Sequence, residues 1–456
     1  MPGIYISAAH KSSGKTTVTI GLCAALRLRG INVRAYKKGP DYIDPEWLKK
    51  ASGKACYNLD FYTSTEEEIL NLYGSKTKGC DLTIVEGNKG LFDGMDVKGS
   101  DSNAALAKLL DIPVILVIDT MGMTRGIAPL LIGYQQFDKE IKFGGVILNR
   151  VAGPRHQSKL IESVEYYTDL PVLGAVPRFR EGEIAERHLG LIPATEDRDA
   201  DRTIEKLAHT MEEHLDLDRI SRIGEMDQRN PLWTGRAGTK KSGLGVRVGV
   251  ARDEAFGFYY ADDLEKFEAL GAEIIWVDLV SDSQLPPLDG LFIGGGFPET
   301  SLRELEANRS MRESVRSAIE SGLPCYAECG GLMYLSRSIA WRGREARMVG
   351  VIPGDITMSE RPHGRGYIQL KETEAMPWSG RRATVITGHE FHYSQLEGLP
   401  EDMAFAYEVI RGAGIRDHKD GIVYKNLLAS YAHLRDSAQN HWVERFVQFM
   451  AQYKNR

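Results

Sequence analysis

Three consecutive stretches at the start of the chain leave little choice of fold. Gly3-Ile-Tyr-Ile-Ser-Ala-Ala9 is an apolar run of strand length, His10-Lys-Ser-Ser-Gly-Lys-Thr-Thr17 is a short polar turn, and Val18-Thr-Ile-Gly-Leu-Cys-Ala-Ala-Leu26 resumes with helical periodicity. Strand, Gly-Lys-Thr turn, helix is the setting of a phosphate-binding loop. There the backbone N–H groups of Ser13, Gly14 and Lys15 would wrap phosphates at a helix N-terminus. Lys15 would reach the terminal phosphates and the Thr16 hydroxyl would bind Mg²⁺. Ala9 stands where such loops usually carry their first glycine. The competing reading, an ordinary glycine turn, is weakened by the placement directly after the first strand.

Further apolar runs follow at intervals, each ending in polar residues. Val33-Arg-Ala-Tyr-Lys37 leads into Lys38-Gly-Pro-Asp-Tyr-Ile-Asp-Pro45, where Asp41 and Asp44 sit on a loop stiffened by glycine and proline. Two such carboxylates suit Mg²⁺ or a substrate's charges; alone they would read as a solvated acidic turn. Cys80-Asp-Leu-Thr-Ile-Val-Glu-Gly87 would deliver Glu86 to the phosphate end of a sheet. A loop from Asn88 to Gly94 then carries Lys89 and Asp93. Pro113–Asp119, Phe143–Asn149 and Val172–Val176 are strands of the same kind. Asn149 at such an edge could read a purine ring or cap a turn. The alternation predicts a parallel, doubly wound α/β sheet with ligands at the strand C-termini.

A helical, highly charged stretch at 195–225 gives way to a Gly/Ser/Lys-rich segment at 226–244, read as an interdomain linker between a domain at 1–225 and another at 245–456. The second domain begins with Val246–Ala251 and reaches a glycine nest at Gly290-Leu-Phe-Ile-Gly-Gly-Gly-Phe-Pro-Glu299, which suits a developing oxyanion. Gly322-Leu-Pro-Cys-Tyr-Ala327 then runs into Glu328-Cys-Gly-Gly331 and an amphipathic stretch. That is a strand, a sharp turn and a helix with Cys329 at the corner, where a nucleophile would face the N–H groups of the next helix turn. A buried structural cysteine at a glycine turn is the competing reading. Two later strands end in histidines, at His389 and His392 and at His433.

Composition excludes more than it assigns. A net charge of −6 gives no electrostatic case for nucleic acid or an anionic membrane. Five scattered cysteines without metal spacing predict reduced thiols and a cytoplasmic protein. Neither a signal peptide nor a membrane-spanning run is visible.

With these stretches in order, the chain resembles the cobyrinate a,c-diamide synthase family of glutamine-dependent tetrapyrrole amidotransferases across nearly its full length. The matching motifs are Ser13-Gly-Lys-Thr-Thr17, Lys38–Pro45, Val85-Glu-Gly87 with Gly90–Gly94, Glu186-Arg-His-Leu-Gly-Leu191, Gly294–Glu299, Tyr326–Leu335, Gly388–Ser394 and Ala429-Ser-Tyr-Ala-His433. The resemblance implies an N-terminal synthetase domain similar to dethiobiotin synthetase and a C-terminal class I glutaminase domain of flavodoxin-like fold. It implies Cys329 as nucleophile with His433 as its base, and an oxyanion hole from Gly295, Gly296 and Gly330. It implies ATP at Ser13, Gly14, Lys15, Thr16, Thr17 and Asn149, and Mg²⁺ at Thr16, Asp41 and Glu86. Substrate contacts fall to Lys38, Tyr42, Asp44, Asp93, Arg187 and His188. Glutamine and a small tetrapyrrole are the other reactants, and a homodimer is an open expectation.

Two departures stand out. Many class I glutaminases have His-Pro-Glu, whereas this chain has His433-Leu-Arg435, so no third carboxylate is evident. Phe391-His-Tyr393 is similar to the Phe-His-Pro of other glutaminases, which makes His392 a rival to His433. The acceptor is open among cobyrinate, hydrogenobyrinate, nickel-sirohydrochlorin and sirohaem; the His-Lys-Ser-Ser loop and the doubled Lys37-Lys38 lean slightly towards a sirohaem-amidating relative. An alternative of another class is a P-loop switch ATPase with an inactive glutaminase-like domain, which Cys329 with His433 argues against.

Overall fold

A computed structural model describes residues 2–178, 186–187, 190–225, 243–380 and 385–454, with the backbone alone at 186, 187 and 190. The chain divides into two compact units, 1–236 and 237–456. Of the linker expected at 226–244, residues 226–242 lie outside the described set.

The first unit is built on a seven-stranded, all-parallel sheet. Its spatial order is Tyr57–Leu59, Val33–Lys38, Leu82–Glu86, Gly3–Ala8, Val114–Asp119, Phe143–Val151, Val172–Pro177. The central strands read as unbroken apolar runs because helices cover both faces. Ile4, Ile6, Ile84, Ile115 and Ile147 are fully buried, each stabilising the fold by about 1.5–3 kcal/mol. Helix Lys15–Leu28 leaves the central strand and packs on helix Ala200–His214. Gly21 permits that approach, since a Cβ there would lie 2.6 Å from Met211 Cγ and 2.8 Å from the Leu207 carbonyl oxygen.

Two loops are more ordered than their composition suggests. In Lys38–Pro45, a helix (Ile43–Ser52) begins at Ile43, because Asp41 Oδ1 accepts the N–H groups of Ile43 and Asp44 at 3.0 Å each. The Asn88–Gly94 loop is pinned by fully buried Leu91, whose N–H donates to Ala8 O at 2.8 Å.

The second unit carries a nine-stranded mixed sheet. Five parallel strands (Glu273–Val277, Arg247–Ala251, Gly290–Ile293, Cys325–Glu328, Leu427–Ser430) continue into four antiparallel ones (Lys419–Tyr424, Ala404–Arg411, Gly364–Glu372, Ile386–His392). One face rests on an aromatic cluster of Phe267, Phe292, Tyr326, Trp378, Trp442 and Phe446. The stretch Asp253–Tyr259 contains a short strand, Phe256–Phe258, which pairs with Gly295–Gly296. Glycine makes that pairing possible, since a Cβ on Gly296 would sit 2.0 Å from the Ala255 carbonyl oxygen.

Candidate active sites

In the first unit, Ser13 is fully buried and its hydroxyl donates to His10 O at 2.8 Å, closing the phosphate-loop turn. Gly14, at φ +83°, starts helix Lys15–Leu28 without a side-chain cap. The first-turn N–H groups, those of Thr16 and Thr17 among them, therefore have no side-chain acceptor at the cap and suit an anion. Asn149 braces this turn: its Nδ2 donates to Ser13 O at 2.9 Å, and a Cβ on Gly14 would meet that nitrogen at 2.2 Å. Asn149 Oδ1 is buried without a partner among the described residues, an acceptor left for a ligand's donor.

Lys15 is 6% exposed, and burial followed by the neighbouring Lys37 pulls its ammonium down to about 8. A buried cation held below its ordinary value is relieved by an arriving anion. The two oxyanion-type features, open N–H groups and a desolvated lysine, thus fit a nucleotide's phosphates.

Next to the loop, Thr16 Oγ1 donates to Glu86 Oε1 at 2.5 Å and to Asp44 Oδ2 at 3.2 Å. Lys37 joins the same carboxylates, with Nζ 2.5 Å from Asp44, 2.7 Å from Glu86 and 3.8 Å from Asp41. Burial opposes the Lys37 charge, but Asp44, Glu86 and Asp41 outweigh it and hold the ammonium well above its ordinary value. Burial in turn raises Glu86, against the pull of Lys37. The sequence had assigned Asp41 to a metal and Asp44 to substrate; the structure brings Asp44 to Thr16 and Glu86, while Asp41 turns one oxygen to the helix it caps. Glu86 Oε2 is buried with no partner among the described residues. The hydroxyl of Thr16 and the oxygens of Glu86 and Asp44 form an all-oxygen donor set that fits Mg²⁺.

Lys38 and Tyr42 are buried on the same turn, and burial lowers the Lys38 ammonium. Asp93 is exposed, and its carboxylate accepts the Gly90 N–H at 3.0 Å. His188 and the Arg187 side chain lie outside the described residues.

In the second unit, Cys329 stands between strand Cys325–Glu328 and helix Gly330–Leu335, with φ +46° and ψ −99°. A non-glycine residue in that region stores strain and turns its side chain out of the sheet. Its N–H donates to Ser430 O at 2.7 Å, tying the corner to the neighbouring strand. The glycines after it are steric requirements. A Cβ on Gly330 would lie 2.9 Å from Gly296 N, and one on Gly331 would lie 2.2 Å from Ile293 O. Gly295, Gly296 and Gly330 are thereby drawn into one close backbone cluster.

His433 follows strand Leu427–Ser430, the neighbour of the Cys329 strand, and is 3% exposed. Fully buried Asp420 orients this strand end by accepting the Tyr431 and Ala432 N–H groups at 3.0 Å each. Its Nδ1 lies 3.3 Å from Glu328 Oε2, and the Cys329 thiol, which donates to Phe391 O at 3.9 Å, is among the groups that favour its charged form. Burial works against its charged form, yet Cys329 and Glu328 prevail and raise it to about 10.

The other histidines differ. His389 stacks on His433 with ring centroids 4.8 Å apart, and burial followed by the His433 charge pushes it well below the ordinary value. His392 stacks on Tyr431 at 3.7 Å, and its Nδ1 lies 2.9 Å from Ser394 O. Sequence reasoning missed Lys37 and Glu328. The doubled lysine after the second strand and the acidic residue preceding the cysteine were the only signals.

A phosphate-binding turn on a parallel sheet and a cysteine corner backed by a histidine define an ATP-dependent ligase that takes its nitrogen from glutamine. Residues 5–192 match the CobQ/CobB/MinD/ParA nucleotide binding domain, and residues 247–440 match the CobB/CobQ-like glutamine amidotransferase domain. A cobyrinate a,c-diamide synthase of Magnetococcus marinus is 44% identical over 98% of this chain and 97% of that one. Those of Methanosarcina acetivorans (39% identical; 96% of this chain, 93% of that one) and Listeria innocua (38%; 95% and 96%) are similar throughout. The chain belongs to the cobyrinate a,c-diamide synthase family. Among the described residues no helix is long and apolar enough to cross a membrane.

Proposed function

We propose that this enzyme amidates the a and c acetate carboxylates of a sirohydrochlorin-derived tetrapyrrole, with cobyrinate as the acceptor. The observation that carries the reading is Cys329, on its strained corner beside the strand that leads to buried His433, on one chain with an uncapped phosphate-binding helix. The printed names of the full-length relatives support the acceptor.

In the second unit the Cys329 thiol proton is handed to His433 ahead of attack, the sulfur then adds to the glutamine amide carbon, and the imidazolium passes the proton to the leaving nitrogen. The N–H groups around Gly295, Gly296 and Gly330 receive the oxyanion. Water cleaves the thioester to glutamate. In the first unit a substrate carboxylate attacks the terminal phosphorus of ATP, giving an acyl phosphate and ADP, and ammonia then displaces phosphate. Lys15 and the first-turn N–H groups hold the phosphates, and Asn149 Oδ1 accepts from the purine. Mg²⁺, held by Thr16, Glu86 and Asp44, would neutralise charge on the phosphate oxygens.

The test measures glutamate release with ATP and Mg²⁺ for wild type and Cys329→Ala, with cobyrinate, sirohaem or nickel-sirohydrochlorin present, and follows the macrocycle by mass spectrometry. Glutamate release lost in the variant, with one or two OH→NH₂ exchanges on cobyrinate, is the expected result. Exchange on sirohaem alone would overturn the acceptor, and no glutamate release under any condition would overturn the chemistry.

A further inference from the structure

His433 has no carboxylate two residues downstream, yet it is not without one. Arg435 occupies that place, and a guanidinium has no acceptor to offer an imidazole. It faces elsewhere, 2.8 Å from Asp262 and over the Tyr260 ring at 5.1 Å. The carboxylate comes instead from the residue before the nucleophile. Glu328 ends the strand Cys325–Glu328 and is 2% exposed. Strand alternation puts it on the same face as Tyr326, whose hydroxyl donates to Glu328 Oε1 at 2.7 Å. The Leu434 N–H donates to the same oxygen at 2.9 Å. Both contacts fix the carboxylate, and they leave Oε2 facing His433 Nδ1 at 3.3 Å. The Tyr326 ring is itself clamped, stacked on Phe292 with centroids 5.3 Å apart.

The opposite edge of the imidazole completes the geometry. A Cβ on Gly295 would meet His433 Cε1 at 2.5 Å and Nε2 at 3.4 Å, so that edge is turned towards the glycine cluster. His389 covers one ring face and exchanges backbone hydrogen bonds with His433, at 3.2 and 2.8 Å.

We propose that Glu328 is the third member of the glutaminase site, a positioning residue that holds one proton on His433 Nδ1 and so presents Nε2 to receive the thiol's proton. The inference rests on the roles given above to Cys329 and His433. The thiol proton passes from sulfur to His433 Nε2 before attack, giving the charged imidazole that Cys329 and Glu328 favour. In the acylation step the sulfur's electron pair forms the S–C bond as the carbonyl electron pair moves onto oxygen, and the Nε2 proton then goes to the leaving nitrogen. Glu328 keeps its contact with Nδ1 throughout and steadies the imidazolium. The nucleophile, the residue that orients its base and the oxyanion glycine at 330 are thus consecutive in the chain.

Glu328→Gln tests this. The glutamine carbonyl keeps an acceptor for Tyr326 and Leu434, while its NH₂ now donates to Nδ1 and drives the proton onto Nε2. The kcat for glutamate release is expected to fall by about a hundredfold or more, with KM for glutamine within about threefold of wild type. Amidation fed by ammonium chloride is expected to be unchanged, and Glu328→Asp should recover part of the glutaminase rate. A kcat within about threefold of wild type in Glu328→Gln overturns the assignment. So does a parallel loss of ammonium-fed amidation in both variants, which would make Glu328 a packing residue. Wild type that releases no glutamate overturns the glutaminase reading and this inference with it.

Discussion

Gly295→Ala measures how tightly the histidine is held. The added Cβ would lie 2.5 Å from His433 Cε1 and 3.3 Å from Phe258 Cδ2, where ordinary contact begins at 3.4 Å. Neither obstacle is the end of a flexible chain. Phe258 is wedged edge-on against Phe297 at 5.2 Å, and His433 is held by His389, Glu328 and its own backbone pairing. Restoring contact requires the imidazole or the 295 backbone to retreat by nearly 1 Å. A displacement of about 1 Å at a reacting group is expected to lower the rate about a hundredfold, equivalent to about 2.7 kcal/mol in the barrier. Overpacking should also lower stability by about 1–3 kcal/mol. The assay compares glutamate release with ammonium-fed amidation in one preparation: the first should collapse and the second persist. Glutamate release within about threefold of wild type would show that the imidazole has room, and the argument from close packing would fail.

Two other perturbations follow from buried charges. His433 has its imidazole raised from 6.5 to about 10, so its contribution to stability is complete below pH 6.5 and is lost as pH rises through about 10. The denaturation midpoint of wild type relative to His433→Gln should therefore fall between pH 7 and 10; a constant difference across that range would refute the charged pairing. Lys37→Met leaves three carboxylates without their shared cation. It should destabilise by about 3–5 kcal/mol at neutral pH and recover part of the loss in acid, as Glu86 and Asp41 protonate; an unchanged midpoint in calorimetry would show that the cluster is neutral already.

How much of this was legible in the sequence depended on whether a function is written along the chain or across it. The phosphate turn at Ser13–Thr17 and the corner at Cys329 are local patterns, strand then turn then helix, and the structure places both where the patterns indicate. Glu328 is not legible as the third carboxylate because the His-Pro-Glu pattern of other glutaminases places that group downstream of the histidine. Its approach is set by the pairing of Glu328 with Ser430 across adjacent strands, and register between strands 100 residues apart is not read from either one. The different surroundings of Asp41 and Asp44 are not legible for a smaller reason. Helix initiation at Ile43 rotates Asp44 inward and spends one Asp41 oxygen on the helix N–H groups, and a Gly/Pro-rich stretch had suggested loop.

The backbone at Cys329 has a consequence for anyone redesigning this chain. At φ +46° and ψ −99° the position calls for glycine, and a sequence chosen only to suit the backbone would read three glycines in succession from 329. Such a sequence would gain roughly 1–3 kcal/mol of relieved strain and keep the sheet, the aromatic cluster and the glycine cluster. On the chemistry proposed above it would also be a ligase that lives on free ammonium. Nitrogen economy, on that reading, depends on one residue that every rule of backbone comfort would remove.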